Sequence, residues 1–130
     1  PEKKILQVGI RSGTKEEFKF MNQQKQLVKF LPGGNAQEFK KALLPYSNSP
    51  IYLTIDLDWF DPSLLPGTGT PEPGGFFWND FEVILETLKN FRIIASDIVE
   101  LSPEIDKSGV SSVVAAKILR SLIMSLKKMQ

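Results

Sequence analysis

The chain has 130 residues, sixteen basic and fifteen acidic, a formal net charge of +1 and 42% hydrophobic content. That size and apolar content fit one packed domain, and the charge balance argues against a nucleic-acid partner or a membrane surface. There is no cysteine, which excludes disulfides and thiolate metal sites, and no histidine, which removes imidazole as a ligand or proton carrier.

No apolar run is long enough to span a bilayer, and no signal peptide is evident. The expectation is a soluble, cytoplasmic protein. The chain opens at Pro1 rather than Met. A processed start or a piece of a longer polypeptide is therefore expected.

Ile5 to Ile10 reads as a short buried strand, closing at Arg11-Ser12-Gly13. Thr14 with Glu17 forms a capping box, followed by Phe18 and Met21 at helical spacing. A second strand spans Leu27 to Leu31 and stops at Pro32-Gly33-Gly34. Asn35 with Glu38 repeats the capping arrangement before Phe39 and Leu43, and residues 45–50 form a turn. A third strand runs from Ile51 to Asp56. Residues 61–75 hold four prolines and four glycines, which excludes regular helix or sheet. Asn79 with Glu82 is expected to open a helix carrying Phe81, Ile84, Leu85 and Leu88. Arg92 to Val99 reads as a fourth buried strand. The last helix is expected from Val110 to Met129. Val110, Val113, Val114, Leu122, Ile123 and Leu126 form its apolar stripe, with Lys127 and Lys128 suiting its C-terminal dipole. Strands alternating with helices predict one α/β domain over residues 1–130, a three-layer α/β/α arrangement with a parallel, doubly wound sheet.

The third strand carries the chemistry. Its apolar, β-branched run leads into Asp56-Leu57-Asp58. Side chains at i and i+2 of a strand share a face, so Asp56 and Asp58 are expected to project together where the strand exits. Ligands bind at that end of open α/β sheets. Two carboxylates so close repel unless a cation lies between them, and a divalent metal with hard oxygen ligands is the simplest one. A lone Asp there more often caps a turn; the pair favours a metal or phosphate. Asp61 before Pro62 reads as a turn residue.

The loop Pro66-Gly67-Thr68-Gly69-Thr70-Pro71-Glu72-Pro73-Gly74-Gly75 is long for a crossover, and long ordered loops at such ends are usually functional. It is no P-loop, since no Lys-Ser/Thr follows its glycines. Glu72 reads equally as a surface charge or a substrate contact. Ser96-Asp97-Ile98-Val99-Glu100-Leu101-Ser102-Pro103 brings two more carboxylates to the same rim. Asp97 follows apolar residues and needs a partner. Glu100 is placed to face Asp56 and Asp58, although a surface role is the commonest one for any single Glu.

Together, TIDLDWFDPSLLPGTGTPEPGG and SDIVELSP resemble the ureohydrolase family of arginases and agmatinases. The Pro-Glu-Pro form of the loop is closer to the agmatinases. The resemblance covers the whole chain but only the C-terminal half of a family member. It implies a site of two manganese ions, with Asp56 bridging both and Asp58 completing one. It implies that Glu100 binds the guanidinium of the substrate and is needed for catalysis; Glu72 stands beside it as a candidate substrate-binding residue. The implied reaction is hydrolysis of a guanidino compound, agmatine above all, to urea and an amine (putrescine), with a water activated by the metals. The family's other ligands lie in upstream Gly-Gly-Asp-His and Asp-Ala-His-x-Asp segments, which this sequence lacks. The implied partners are therefore a missing N-terminal half carrying the His ligands and further copies in an oligomer. This chain alone is expected to be inactive.

Two other readings stand beside it. A bacterial receiver domain has similar length and a doubly wound sheet, but the acidic pair after its first strand and the Lys after its last are absent. The other is a non-catalytic fragment. By the resemblance, an upstream strand lies between strands 5–10 and 51–56. In its absence these two are expected to pair directly, because unpaired strand edges are costly.

Overall fold

The computed structural model describes residues 5–126. Strand β1 (Gln7–Val8), helix α1 (Lys15–Gln23), strand β2 (Leu27–Val28) and helix α2 (Gln37–Leu43) form the first half. Strand β3 (Ile51–Asp56), helix α3 (Trp78–Leu88), strand β4 (Ile93–Val99) and helix α4 (Val110–Leu126) form the second. Both strand pairs are parallel, each joined through a helix, as the α/β reading requires. Among the described residues no helix is long and apolar enough to cross a membrane.

The expected single sheet is not formed among the described residues. β1 pairs with β2 and β3 with β4, in two separate two-stranded sheets. Direct pairing of β3 with β1 does not occur, so that expectation is corrected. Leu6, Val8, Ile51 and Leu53 all pack on one apolar cluster of Val28, Phe39, Leu43, Leu88 and Phe91. Side chains rather than a ladder thus join the two halves. The open edge of β3 costs less than direct pairing would require. Tyr52, Thr54 and Asp56 are exposed, so solvent reaches that strand, and a hydrated amide lacks the penalty of a buried one.

β1 and β2 are also shorter than expected. Gly9, with φ +75°, turns the chain out of β1. β3 is half-buried rather than buried on both faces: Ile51, Leu53 and Ile55 are partly covered while the alternate residues are exposed.

The covered face of β3 and β4 meets a core of Leu57, Phe60, Leu65, Phe81, Ala115, Ile118 and Leu122. Helix α4 contributes Ser111, Ala115, Ile118 and Leu122, spaced by four, three and four residues, to its buried face. The expected stripe is therefore rotated: Val110, Val113 and Ile123 are exposed, while Val114 and Leu122 pack inward. A buried polar network sets the rotation. Ser111 Oγ donates to Asp106 Oδ2 at 2.7 Å and accepts from the Gly67 amide at 2.7 Å, which requires Ser111 to face inward. Lys127, Lys128 and Met129 lie outside the described residues, as does the Leu126 side chain.

One of the three expected capping boxes forms as read. The Glu17 amide donates to Thr14 Oγ1 at 3.2 Å, and the Thr14 amide donates to Glu17 Oε2 at 2.7 Å. At α2, Asn35 Oδ1 instead accepts from the Gln37 amide, and Glu38 pairs with Lys41. Helix α3 begins at Trp78, and Asp80 rather than Glu82 serves its N-terminus. The Asp80 carboxylate takes the Phe77 amide at 2.8 Å and the Gly33 amide at 2.7 Å. Satisfying two amides from separate segments outweighs a box that satisfies local ones only.

Candidate functional site

β3 ends at Asp56, and residues Leu57–Trp59 form a single 3-10 turn. Asp58 therefore lies on the turn, not on the strand, which corrects the strand-face argument. The two residues are still held together: the Asp58 amide donates to Asp56 Oδ1 at 2.9 Å. Burial pushes the Asp56 carboxyl up from its usual range; the Asp58 amide pulls it down, and the Asp58 charge pushes it up again. A cation between the two would reverse both upward effects. Asp58 Oδ2 accepts from Thr70 Oγ1 at 2.7 Å. Asp58 Oδ1 is buried with no hydrogen-bond partner among the described residues.

Loop 61–75 is closed at its base. The Asp61 amide donates to the Phe76 carbonyl at 3.0 Å, and the Phe76 amide to the Trp59 carbonyl at 3.1 Å. Asp61 is a turn residue as read, and more. Its carboxylate takes the Ser63 amide and hydroxyl on one oxygen and the Gly74 and Gly75 amides on the other. Those hydrogen bonds, led by Ser63, hold its carboxyl down at about 2. A methyl group at Gly75 would run into the backbone of Phe60 and Asp61, so only glycine closes the loop there. At the far end the Gly67 carbonyl accepts from the Ser102 amide at 2.8 Å, tying the loop to the segment after β4.

Glu100 follows Val99, which pairs with Asp56 in the β3–β4 register. Its φ is +67°, a left-handed conformation that a glutamate adopts only under constraint. Glu72 is exposed, and its carbonyl is held by Arg11. Asp97 has the partner its position called for: Tyr52 Oη donates to Asp97 Oδ2 at 2.7 Å, and that hydrogen bond pushes the Tyr52 hydroxyl up. Among the described residues, no three acidic, His or Cys groups converge on a point that would hold a metal. Asp56, Asp58 and Glu100 thus share a rim but do not form a complete ligand set.

Four site residues escaped the sequence reading. Arg11 donates to the Asp58, Trp59 and Glu72 carbonyls. Thr70 holds Asp58, and Asp106 with Ser111 anchors the loop onto α4. The Arg11 and Thr70 contacts join segments 12 to 61 residues apart, which no local pattern marks, whereas Asp106 and Ser111 lie five residues apart at the start of α4.

The model of the Arginase family matches residues 1–125. The chain belongs to the arginase family. Its agmatinase-like character, first read from the Pro-Glu-Pro loop, agrees with the relatives. It is 33% identical over 123 residues to an agmatinase of Bacillus cereus, covering 92% of this chain and 41% of that protein. It is 39% identical over 118 residues to an agmatinase of Pyrococcus horikoshii, covering 89% and 41%. A crystal structure of a candidate agmatinase from Clostridium difficile superposes with a TM-score of 0.85 at 48% identity, over 98% of this chain and 47% of that one. An arginase from Bacillus caldovelox superposes at 0.76 with 26% identity, over 88% and 41%. The fold is thus arginase-type α/β, and the receiver-domain reading falls. This arginase-family chain spans about two fifths of the length of the curated relatives it matches.

Proposed function

We propose that residues 1–130 are one α/β unit, the C-terminal portion of a manganese-dependent ureohydrolase. The parent enzyme hydrolyses a guanidino compound, agmatine in the first place, to urea and putrescine. Asp56 and Asp58 supply part of the metal ligand set, and an upstream half carrying the His ligands supplies the rest. A cytoplasmic homo-oligomer is the assembly that goes with this reading.

The observation that supports it most is Asp58 Oδ1, a carboxylate oxygen buried without a hydrogen-bond partner among the described residues. Such an atom is costly unless something absent here meets it. Hard carboxylate oxygens suit manganese. When bound, manganese supplies a Lewis acid and lowers the pKa of the attacking water. This chain's own residues do the rest. Glu100 pairs its carboxylate with the planar guanidinium and turns the carbon toward the Asp56 and Asp58 rim. Glu72, on the loop whose Thr70 holds Asp58, contacts the substrate. Asp58 is kept oriented by Thr70.

The test is this chain assembled with the upstream half of the Clostridium difficile relative, assayed for urea release from agmatine. Asp58→Asn is expected to weaken manganese binding, since a neutral amide replaces an anionic ligand. Glu100→Ala is expected to keep the metals and lose turnover. Wild-type turnover by metal-stripped Asp56→Ala protein would overturn the reading.

A further inference from the structure

We propose that Arg11 is a positioning residue for this reaction, its guanidinium setting the turn that bears Asp58 against the loop that bears Glu72. The inference rests on the site reading above. Arg11 lies just past β1, in the half of the chain remote from both segments. Its Nη1 donates to the Trp59 carbonyl at 2.9 Å, and its Nη2 to the Asp58 carbonyl at 2.8 Å and the Glu72 carbonyl at 2.8 Å. These contacts span 48, 47 and 61 residues. All three acceptors are main-chain atoms, so the clamp fixes backbone positions and leaves the Asp58 and Glu72 carboxylates free for other partners.

The residue type matters. A guanidinium is a rigid, planar fork of five donors, whereas an ammonium is a point charge on a flexible stem. Only the fork addresses carbonyls on two segments from one fixed position. The clamp leaves Arg11 Nε buried without a partner among the described residues. An arginine serving only as a surface charge would avoid that cost. β1 delivers the side chain through Gly9, whose φ of +75° turns the chain there. A Cβ on Gly9 would come within 2.5 Å of Trp59 Nε1, so the turn fits tightly against the same segment that Arg11 grips.

Amide hydrogen exchange on the 130-residue chain tests the clamp directly. Arg11→Lys and Arg11→Gln are expected to speed exchange across residues 70–75 by about tenfold, with α3 and α4 at wild-type rates. In the chain assembled with the Clostridium difficile upstream half, folded Arg11→Lys is expected to raise KM for agmatine and lower manganese affinity, each by about tenfold. A structural role alone would move the melting temperature and not KM. Wild-type exchange across 70–75, or a wild-type KM and manganese affinity in a folded variant, would overturn the proposal. Wild-type manganese affinity in Asp58→Asn would instead remove the site reading, a separable result.

Discussion

Thr70 donates a hydrogen bond from its hydroxyl to one oxygen of Asp58, 2.7 Å away, while the other oxygen of Asp58 is buried and has no partner among the described residues. The carboxylate is thus oriented by the loop but not saturated by it. Groups that orient a ligand in this way commonly contribute 10–100-fold, by order of magnitude, to metal affinity. Thr70→Val in the assembled enzyme is expected to weaken manganese binding by about tenfold, with Thr70→Ser restoring most of it. Calorimetric titration with manganese checks this, and equal affinities for wild type and Thr70→Val would contradict it.

Glu100 has a left-handed backbone, φ +67°, that glycine adopts freely. Glu100→Gly is expected to stabilise the chain by about 0.5–1 kcal/mol through relief of that strain, while abolishing turnover in the assembled enzyme. Urea denaturation gives the first quantity and urea release from agmatine the second. A less stable Glu100→Gly chain would show that the backbone there is not strained.

Two carboxylates set the acid limb of stability. Hydrogen bonds hold Asp61 at about 2, Ser63 contributing most. Ser108 and Ser111 hold Asp106 lower still. Both folded values lie below the unfolded range near 4, so the stabilisation is complete above about pH 4 and is lost as pH falls toward 2. Denaturation midpoints are expected to drop between pH 4 and pH 2 in wild type and to drop less steeply in Asp61→Asn. Parallel slopes for the two proteins would refute the assignment.

Ser111 is fully buried, donating to Asp106 and accepting from the Gly67 amide. Ser111→Ala leaves both groups short of a partner and is expected to cost about 1–3 kcal/mol. The same substitution is expected to loosen the loop at Gly67, seen as faster amide exchange there. Unchanged stability would mean that water replaces the hydroxyl.

The chain without an upstream half is expected to release no urea from agmatine plus manganese. Among its described residues no three-ligand cluster forms, and it contains no histidine. Turnover near that of a full-length relative would contradict this.

Much of this protein is legible in one dimension. The alternation of strands and helices predicts parallel α/β pairing. The capping box at Thr14 and Glu17 forms as read, because its partners are three residues apart and local geometry alone brings them together. The long motif from Thr54 to Gly75 carries the family. Within it, Asp61 and Gly75 serve a tight local geometry that few other residues fit. Other features were decided only when distant surfaces met. Asp80 displaced the capping expected at Asn79 and Glu82 because it also satisfies Gly33, 47 residues away. The inward turn of Ser111, and with it the buried face of α4, follows from a hydrogen bond to Gly67, 44 residues upstream. The open edge of β3 and the Arg11 clamp are of the same kind. Periodicity and i to i+3 contacts are properties of neighbours along the chain, so sequence alone determines them. Which amides, carbonyls and strand edges find partners depends on long-range packing, where several local solutions compete and the one satisfying most buried polar groups prevails.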